Sequence, residues 1–475
     1  MGGKIVSRSK ELVKNTAILT IGKMCTQFVS FLLLPLYTAL LSTEEYGIVD
    51  LFTTYIALIL PLVCWQLDQG IFRFMIDCRE DETKTKALFS SITSVNVVQA
   101  LAVVLIYLCL QPFSSSEYKI YLLIGVVLNI FSGLLMQFAR GLGDMLAYSV
   151  SSFLTAASTV VLNVVFVAVL KLGAHGMFIA TMCGIAINCI YLFFKLKAWK
   201  YYKPKLVDLS LIKEVCGYSL PLVPNQISGW ILSASDRTII AKFLSVAENG
   251  VYSVANKFSN LVGTFYGFFN LAWVETVSVH YNDSDRDEFI GDMMETVSNL
   301  FVSICVGIIA IMPFVFPVMV NQQYGNAYYQ IPILLIAVIF QILVGLYSAI
   351  YIALKKSSTI ARTTIAGAII NVLVNLALIR FIGLYAASIS TLVSYASTAL
   401  YRRIDIRKYI KIKVNVKKIL LNSVAVVFVT LSYYFNITIL NVAALVIACI
   451  YAVGINWKLI KMFFAEIRKY KKEGN

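Results

Sequence analysis

Ionisable and amide side chains recur at helical spacing inside stretches that are otherwise apolar. Between residues 15 and 38, Thr16, Thr20, Lys23, Gln27 and Ser30 fall on one helical face. Lys23 would sit about 12 Å in from the basic end, at 1.5 Å per residue. A cation at that depth in hydrocarbon is costly and usually faces a wet cavity or a partner; its long stem could also carry the amine outward. Between 250 and 275, Ser253, Asn256, Asn260, Gly263, Gly267 and Asn270 share a face, with Lys257 beside it. The stretch 214–241 opens on Pro221, Pro224 and Asn225 and closes on Asp236-Arg237. Adjacent residues on a helix point in different directions, so Asp236 and Arg237 need not pair with each other. In 47–72, Asp50, Thr54, Ala57, Pro61, Trp65 and Asp68 fall roughly on one side. Arg73 lies off that face and four residues before Asp77, so a surface Arg73–Asp77 pair competes with a role in gating.

Cations and amides of this kind suit a water-filled lumen or polar contacts between helices. The carboxylates Asp68 and Asp236 suit coupling to an ion. Pro35, Pro61, Pro221 and Pro224 interrupt backbone hydrogen bonding and suit hinges. No Ser-His-Asp set, paired catalytic carboxylates, phosphate-binding glycine loop or metal-ligand spacing occurs. The nine cysteines form no CxxC pair, and the two histidines, His175 and His280, fall in predicted loops. No catalytic residue, metal or cofactor is therefore expected.

These residues must be positioned by membrane-spanning helices. The chain of 475 residues is 59% hydrophobic and 14% charged, with mean hydropathy +0.80. A soluble protein is nearer a quarter charged. A span needs about 20 apolar residues. Fourteen stretches qualify: 15–38, 47–72, 87–110, 118–139, 147–170, 176–195, 214–241, 250–275, 293–320, 329–353, 359–379, 384–401, 416–434 and 438–463. With the N-terminus inside, the cytoplasmic segments hold 33 of the 40 Lys and Arg, and the outer connections hold Lys119, Lys171, Lys242 and Arg380. This asymmetry orients the chain with both termini cytoplasmic. It also accounts for the net charge of +15 without nucleic acid: the basic segments face anionic headgroups. The basic start and a first apolar run long enough to span argue against a cleavable signal peptide. Near 196–213, Trp199, Tyr201 and Tyr202 suit an interfacial anchor. The acidic run Asp283–Glu288 predicts a cap on a short amphipathic helix.

Two turns repeat. Leu41-Ser42-Thr43-Glu44-Glu45-Tyr46-Gly47-Ile48 returns as Leu244-Ser245-Val246-Ala247-Glu248-Asn249-Gly250-Val251, shifted by 203 residues. Gly173–Thr181 returns as Gly383–Thr391, shifted by 210. The near-equal offsets predict an all-α polytopic membrane protein built from two six-helix bundles by internal duplication, as in many transporters. The predicted domains are 1–200, 201–405 and 406–475, the last comprising two additional helices and a basic tail.

The basic start before Asn15-Thr16, the Pro35 exit, the L-S-x-x-E-Y-G-I turn, Asp68 to Arg73 and the S-D-R-T-I-I…L-S-x-x-E-N-G-V-Y-S-x-A-N-K run together resemble the polysaccharide exporter branch of the MOP superfamily. The resemblance covers about residues 8–405. It implies a V-shaped pair of bundles around a central, often cationic lumen lined by the first, second, seventh and eighth helices. It places Lys23, Gln27, Asp68, Asp236, Arg237 and Lys257 there. Its implied activity is that of a Wzx-type flippase in a bacterial cytoplasmic membrane. Such a protein moves undecaprenyl-diphosphate-linked oligosaccharide for O-antigen or capsule synthesis. The expected partners are that substrate, membrane lipids, H+ or Na+, and polysaccharide polymerase machinery. Lys23, Arg237 and Lys257 would attract the diphosphate or acidic sugars; Gln27, Asn225, Asn256 and Asn260 would bond sugar hydroxyls. A MATE-type multidrug exporter is the alternative within transporters, but it would favour an acidic cavity. A membrane polymerase or ligase would need a large outer loop, and the outer loops here are short.

Overall fold

The computed structural model describes residues 31–113, 116–412 and 415–461, all helix, turn and connection with no strand among them. Among the described residues, ten helical stretches are long and apolar enough to cross a membrane: 43–64, 82–110, 119–142, 145–169, 173–195, 286–319, 322–353, 357–382, 416–435 and 438–455. They coincide with ten of the fourteen expected spans. The first expected span lies mostly outside the described residues. The remaining three are also helical, as Val223–Phe243, Val246–His280 and Tyr385–Ile406. They fall short on hydropathy because they carry polar residues that turn out to be buried, among them Asp236, Asn249, Ser253, Ser388, Ser390 and Ser394. Apolar side chains such as Leu105, Leu373, Phe381 and Ile439 are more than half exposed on the outside of these helices, as a hydrocarbon surrounding requires.

Two compact units divide the chain, Met1–Ala234 and Ser235–Asn475. The boundary falls within the Val223–Phe243 helix. In the first unit, two of the expected continuous spans are broken. Helix Thr43–Cys64 contains Pro61 and stops at Trp65 and Gln66, both in the left-handed region with φ of 53° and 55°. Leu67–Cys78 then resumes as a separate helix. Leu209–Ser219 likewise ends in a tight turn, Leu220–Leu222, before Val223–Phe243 begins. Pro221 therefore sits in that turn and Pro224 in the first helical turn after it, where neither removes an interior helix hydrogen bond. Gly70 lets the two broken segments meet. A β-carbon there would lie 2.4 Å from Ser219 Oγ and 2.6 Å from Val215 Cγ1.

The connection after residue 195 is fastened to its own unit. Ser90 Oγ donates to the Tyr201 carbonyl at 3.1 Å and accepts from the Lys203 amide at 2.8 Å; Ser91 Oγ accepts from the Asp208 amide at 3.0 Å. Half-buried Tyr201 packs edge-on to Phe89 and Phe138, against the core of its unit. The acidic run near 283–288 makes no separate amphipathic helix: Arg286–Met319 is continuous, with Asp287 and Glu288 in its first turn, where negative charge complements the helix dipole.

The repeated turns have a structural reason. Ser42 Oγ accepts from the Glu45 amide at 3.2 Å, and Glu45 Oε2 accepts from the Ser42 amide at 2.9 Å. This is a capping box. The other carboxylate oxygen, Oε1, accepts from the Ala174 amide at 3.3 Å, so one glutamate caps two helices. Gly173, at φ +56°, makes room for it. In the second unit Ser245 Oγ accepts from the Glu248 amide at 3.0 Å. A cavity there brings Ser245 and Glu248 beside Gly383, Leu384 and Tyr385. Within each unit the two repeated motifs are neighbours.

Candidate functional site

Asp236 is 3% exposed. It lies about two turns from the end of Val223–Phe243, which a two-residue link joins to Val246–His280. Three donors from three other helices converge on its carboxylate. Tyr252 Oη donates to Oδ2 at 3.1 Å, Thr391 Oγ1 donates to Oδ2 at 2.7 Å, and Asn375 Nδ2 donates to Oδ1 at 2.8 Å. A second tier holds the donors. Asn371 Nδ2 donates to Thr391 Oγ1 at 3.3 Å, and Ser235 Oγ donates to Asn371 Oδ1 at 3.2 Å. Asn371 and Asn375, both fully buried, are four residues apart on Ser357–Ile382 and so present one polar face inward.

Among the described residues, buried Asn375 Oδ1 has no hydrogen-bond partner, and neither has Ser253 Oγ one turn from Asn249. Buried acceptors without donors are uncommon and need an explanation. Here the orphaned amide oxygen belongs to the residue that already holds the Asp236 carboxylate. Burying an isolated anion costs several kcal/mol beyond what neutral hydrogen bonds return. A proton or a small hard cation would neutralise the carboxylate. The carboxylate, amide and hydroxyl oxygens here are the donor type that hard cations take. Among the described residues no cluster of His, Cys, Asp and Glu has metal-holding geometry.

The other residues singled out from the sequence are not among the three donors to Asp236. Arg237, next in sequence, and Lys257 are both half-buried. Asn256 Nδ2 donates to the Tyr252 carbonyl at 3.2 Å, one turn back on its own helix, and Asn260 is exposed. Asn225 is exposed in the first turn of Val223–Phe243, where Ser228 Oγ closes on the Pro224 carbonyl at 2.8 Å. Lower in the same helix, Trp230 Nε1 donates to the Thr54 carbonyl at 2.9 Å.

In the first unit Asp68 occupies the first turn of the resumed helix, just past the left-handed break, and accepts from Gln69 Nε2 at 2.9 Å. A helix start of this kind favours an anion. Arg73 Nη1 donates to Asp77 Oδ2 at 2.7 Å, with both side chains about half exposed. That is the surface pair that the four-residue spacing allows. Pro35 opens helix Leu34–Leu40, and Pro61 is buried one turn before the break. Lys23 and Gln27 lie outside the described residues.

Sequence reading found Asp236 but not the residues that hold it. Nothing in the sequence marks Tyr252, Asn375 and Thr391 as donors to Asp236, or Asn371 as the support of Thr391. The only local signal was the pair of asparagines four apart in an apolar helix.

The family model described as polysaccharide biosynthesis protein matches residues 12–278. Comparison with curated proteins by sequence gives no match. Among solved structures, a multidrug resistance transporter of the MATE family, MOP superfamily, in its inward-facing conformation matches with a TM-score of 0.67 at 14% identity, over 81% of this chain and 95% of that one. The lipid II flippase MurJ, in an inward closed conformation, matches with a TM-score of 0.66 at 13% identity, over 95% of this chain and 99% of that one. At such identities the likeness is one of fold, that of a multi-pass helical membrane protein.

Proposed function

Because the chain belongs to the polysaccharide biosynthesis protein family, whose model spans more than half of it, we propose that it is a flippase for lipid-linked oligosaccharide. The cargo is an undecaprenyl-diphosphate-linked repeat unit destined for O-antigen or capsule. The protein passes it from the inner to the outer leaflet of a bacterial cytoplasmic membrane by alternating access. The observation that carries the reading is the buried Asp236 carboxylate, held by Tyr252, Asn375 and Thr391 beside an orphaned amide oxygen. An internal carboxylate of this kind is expensive unless it is used.

In this reading Asp236 takes up H+ or Na+, and Asp68 at its helix start is a second ion-coupling position. Arg237 and Lys257, with Lys23, attract the diphosphate. Asn225, Asn256, Asn260 and Gln27 bond sugar hydroxyls. The left-handed break at Trp65-Gln66 and the turn at Leu220–Leu222 are where the helices bend during the cycle. Pro61 precedes the first, Pro221 lies in the second and Pro224 just follows it, while Pro35 stands at the start of its own helix. The polysaccharide polymerase machinery is a further partner in this reading.

The test is translocation by purified protein in vesicles carrying a fluorescent lipid-diphosphate oligosaccharide. An imposed proton or sodium gradient should speed flipping, and Asp236→Asn should remove the response. Gradient-independent flipping by both proteins would sink the coupling role.

The likeness to a MATE-family fold supports a second reading, export of organic cations. It predicts raised sensitivity to cationic dyes on gene deletion with surface polysaccharide intact. The three donors around Asp236 are neutral and already committed to it, which leaves no exposed carboxylate there for a bulky cation.

A further inference from the structure

The second unit holds a cavity of about 470 Å³, within the range of ligand pockets. Its wall is apolar: Ile336, Phe340 and Leu343 come from Ile331–Ala353, Phe301 and Val302 from Arg286–Met319, and Val426 from Val416–Phe435. Ile336, Phe340 and Leu343 follow i, i+4, i+7, so one helical stripe faces the space. Its rim is charged, with Arg403, Lys418 and Glu295 at one end. An apolar slot with a charged rim has the shape of an amphiphile.

The charges say which amphiphile. Lys418 Nζ is paired with Glu295. Arg403 is half-buried, and its Nη1 donates to the Tyr347 hydroxyl at 3.3 Å. No carboxylate lies within ion-pairing distance of Arg403 among the described residues. Two cations and one anion leave a single net positive charge at the rim. Further in, Asn422 Nδ2 donates to Asn299 Oδ1 at 2.9 Å and Tyr451 Oη donates to Asn422 Oδ1 at 2.7 Å, so those polar groups are spent on each other. Ile419 and Val427, which also line the cavity, are 51% and 56% exposed. The cavity wall is thus continuous with a lipid-facing surface.

We propose that this cavity binds a bilayer phospholipid bearing one net negative charge, with an acyl chain in the slot and the phosphodiester on the Arg403 guanidinium. A guanidinium grips a phosphate in a bidentate fork. A single net positive rim matches one phosphodiester charge; a diphosphate would leave charge unneutralised. The occupant is therefore a lipid of the membrane, not transported cargo, and the site stands whether or not the protein is a flippase. It also gives the Val416–Phe435 helix, which lies outside the duplicated bundles, a purpose as one wall.

The test uses the full chain purified in a mild detergent. Its unfolding temperature is followed as phosphatidylglycerol or phosphatidylcholine with identical palmitoyl and oleoyl chains is added. A lipid that binds only the folded protein raises that temperature. Phosphatidylglycerol should stabilise clearly more than phosphatidylcholine. Arg403→Gln should weaken phosphatidylglycerol binding by roughly tenfold or more, and the exposed-arginine control Arg407→Gln should leave it unchanged. Val426→Trp, which fills the slot and keeps Arg403, should also abolish the phosphatidylglycerol effect; it decides the matter if Arg403→Gln does not fold. Equal stabilisation by both lipids, or an undiminished preference in the filled variant, would overturn the proposal. Displacement of phosphatidylglycerol by undecaprenyl diphosphate at lower concentration would assign the cavity to cargo and overturn it as well.

Discussion

Asn375 Nδ2 donates to Asp236 Oδ1 at 2.8 Å across 139 positions of sequence. The same amide's own oxygen has no partner among the described residues. One residue thus both holds the buried carboxylate and leaves an acceptor open beside it.

Asp236→Asn should separate folding from transport. The Tyr252 and Thr391 hydroxyls can rotate to accept as well as donate, so the amide keeps most contacts. The expected loss of stability is about 1–2 kcal/mol, while export falls at least tenfold. Thermal unfolding of the purified variant, set beside export in cells, checks both halves. Loss of export with a collapsed unfolding temperature would make Asp236 merely structural.

Asn375→Leu removes a donor from a buried carboxylate. Such a change costs about 1–3 kcal/mol and should be larger than Asn256→Leu, whose amide only returns to its own helix at the Tyr252 carbonyl. Unfolding in increasing denaturant ranks the two. Equal costs would mean that the Asp236–Asn375 bond carries no special weight.

Gly173→Ala should destabilise the first unit. A β-carbon there falls 2.0 Å from Glu45 Oε1, and the backbone sits at φ +56°. Strain of this kind costs about 1–3 kcal/mol. The effect should not add to Glu45→Ala, because truncating the glutamate clears the clash while losing two caps. A double-mutant cycle read by thermal unfolding checks it, and full additivity would contradict the shared contact.

Asp81 gives a pH signature outside the membrane spans. Its Oδ1 accepts from the Thr83 and Lys84 amides at the start of Glu82–Leu110. The Lys84 amide first, and then the Thr83 amide and the Lys84 ammonium, hold the carboxyl below its usual value of 3.8. A depressed folded value means the cap stabilises fully above the unfolded value and fades as pH falls through the folded one. Wild-type stability should therefore drop below about pH 4, and Asp81→Asn should flatten part of that drop. Identical acid profiles would remove Asp81 from the account.

The apolar runs, the basic asymmetry and the repeated turns made the helices and their likeness to a transporter legible in the sequence. The capping residues of the repeat, Ser42 with Glu45 and Ser245 with Glu248, were visible as spacing. The helix break at Trp65-Gln66 was not, since neither residue is a turn former and only tertiary packing holds them left-handed. The site was half legible. Helical periodicity marks which face of a helix is polar, but not which faces meet. Tyr252, Asn375 and Thr391 reach Asp236 from three helices, two of them more than a hundred residues away.

The most direct test of the flippase is the fate of its cargo in cells that lack the gene. Lipid-linked repeat units are extracted and their leaflet is read by accessibility to an enzyme added outside spheroplasts. The account predicts complete repeat units trapped on the cytoplasmic side, released by wild-type protein and not by Asp236→Asn. Normal surface polymer in the deletion strain, or repeat units accumulating singly on the outer leaflet, would contradict it.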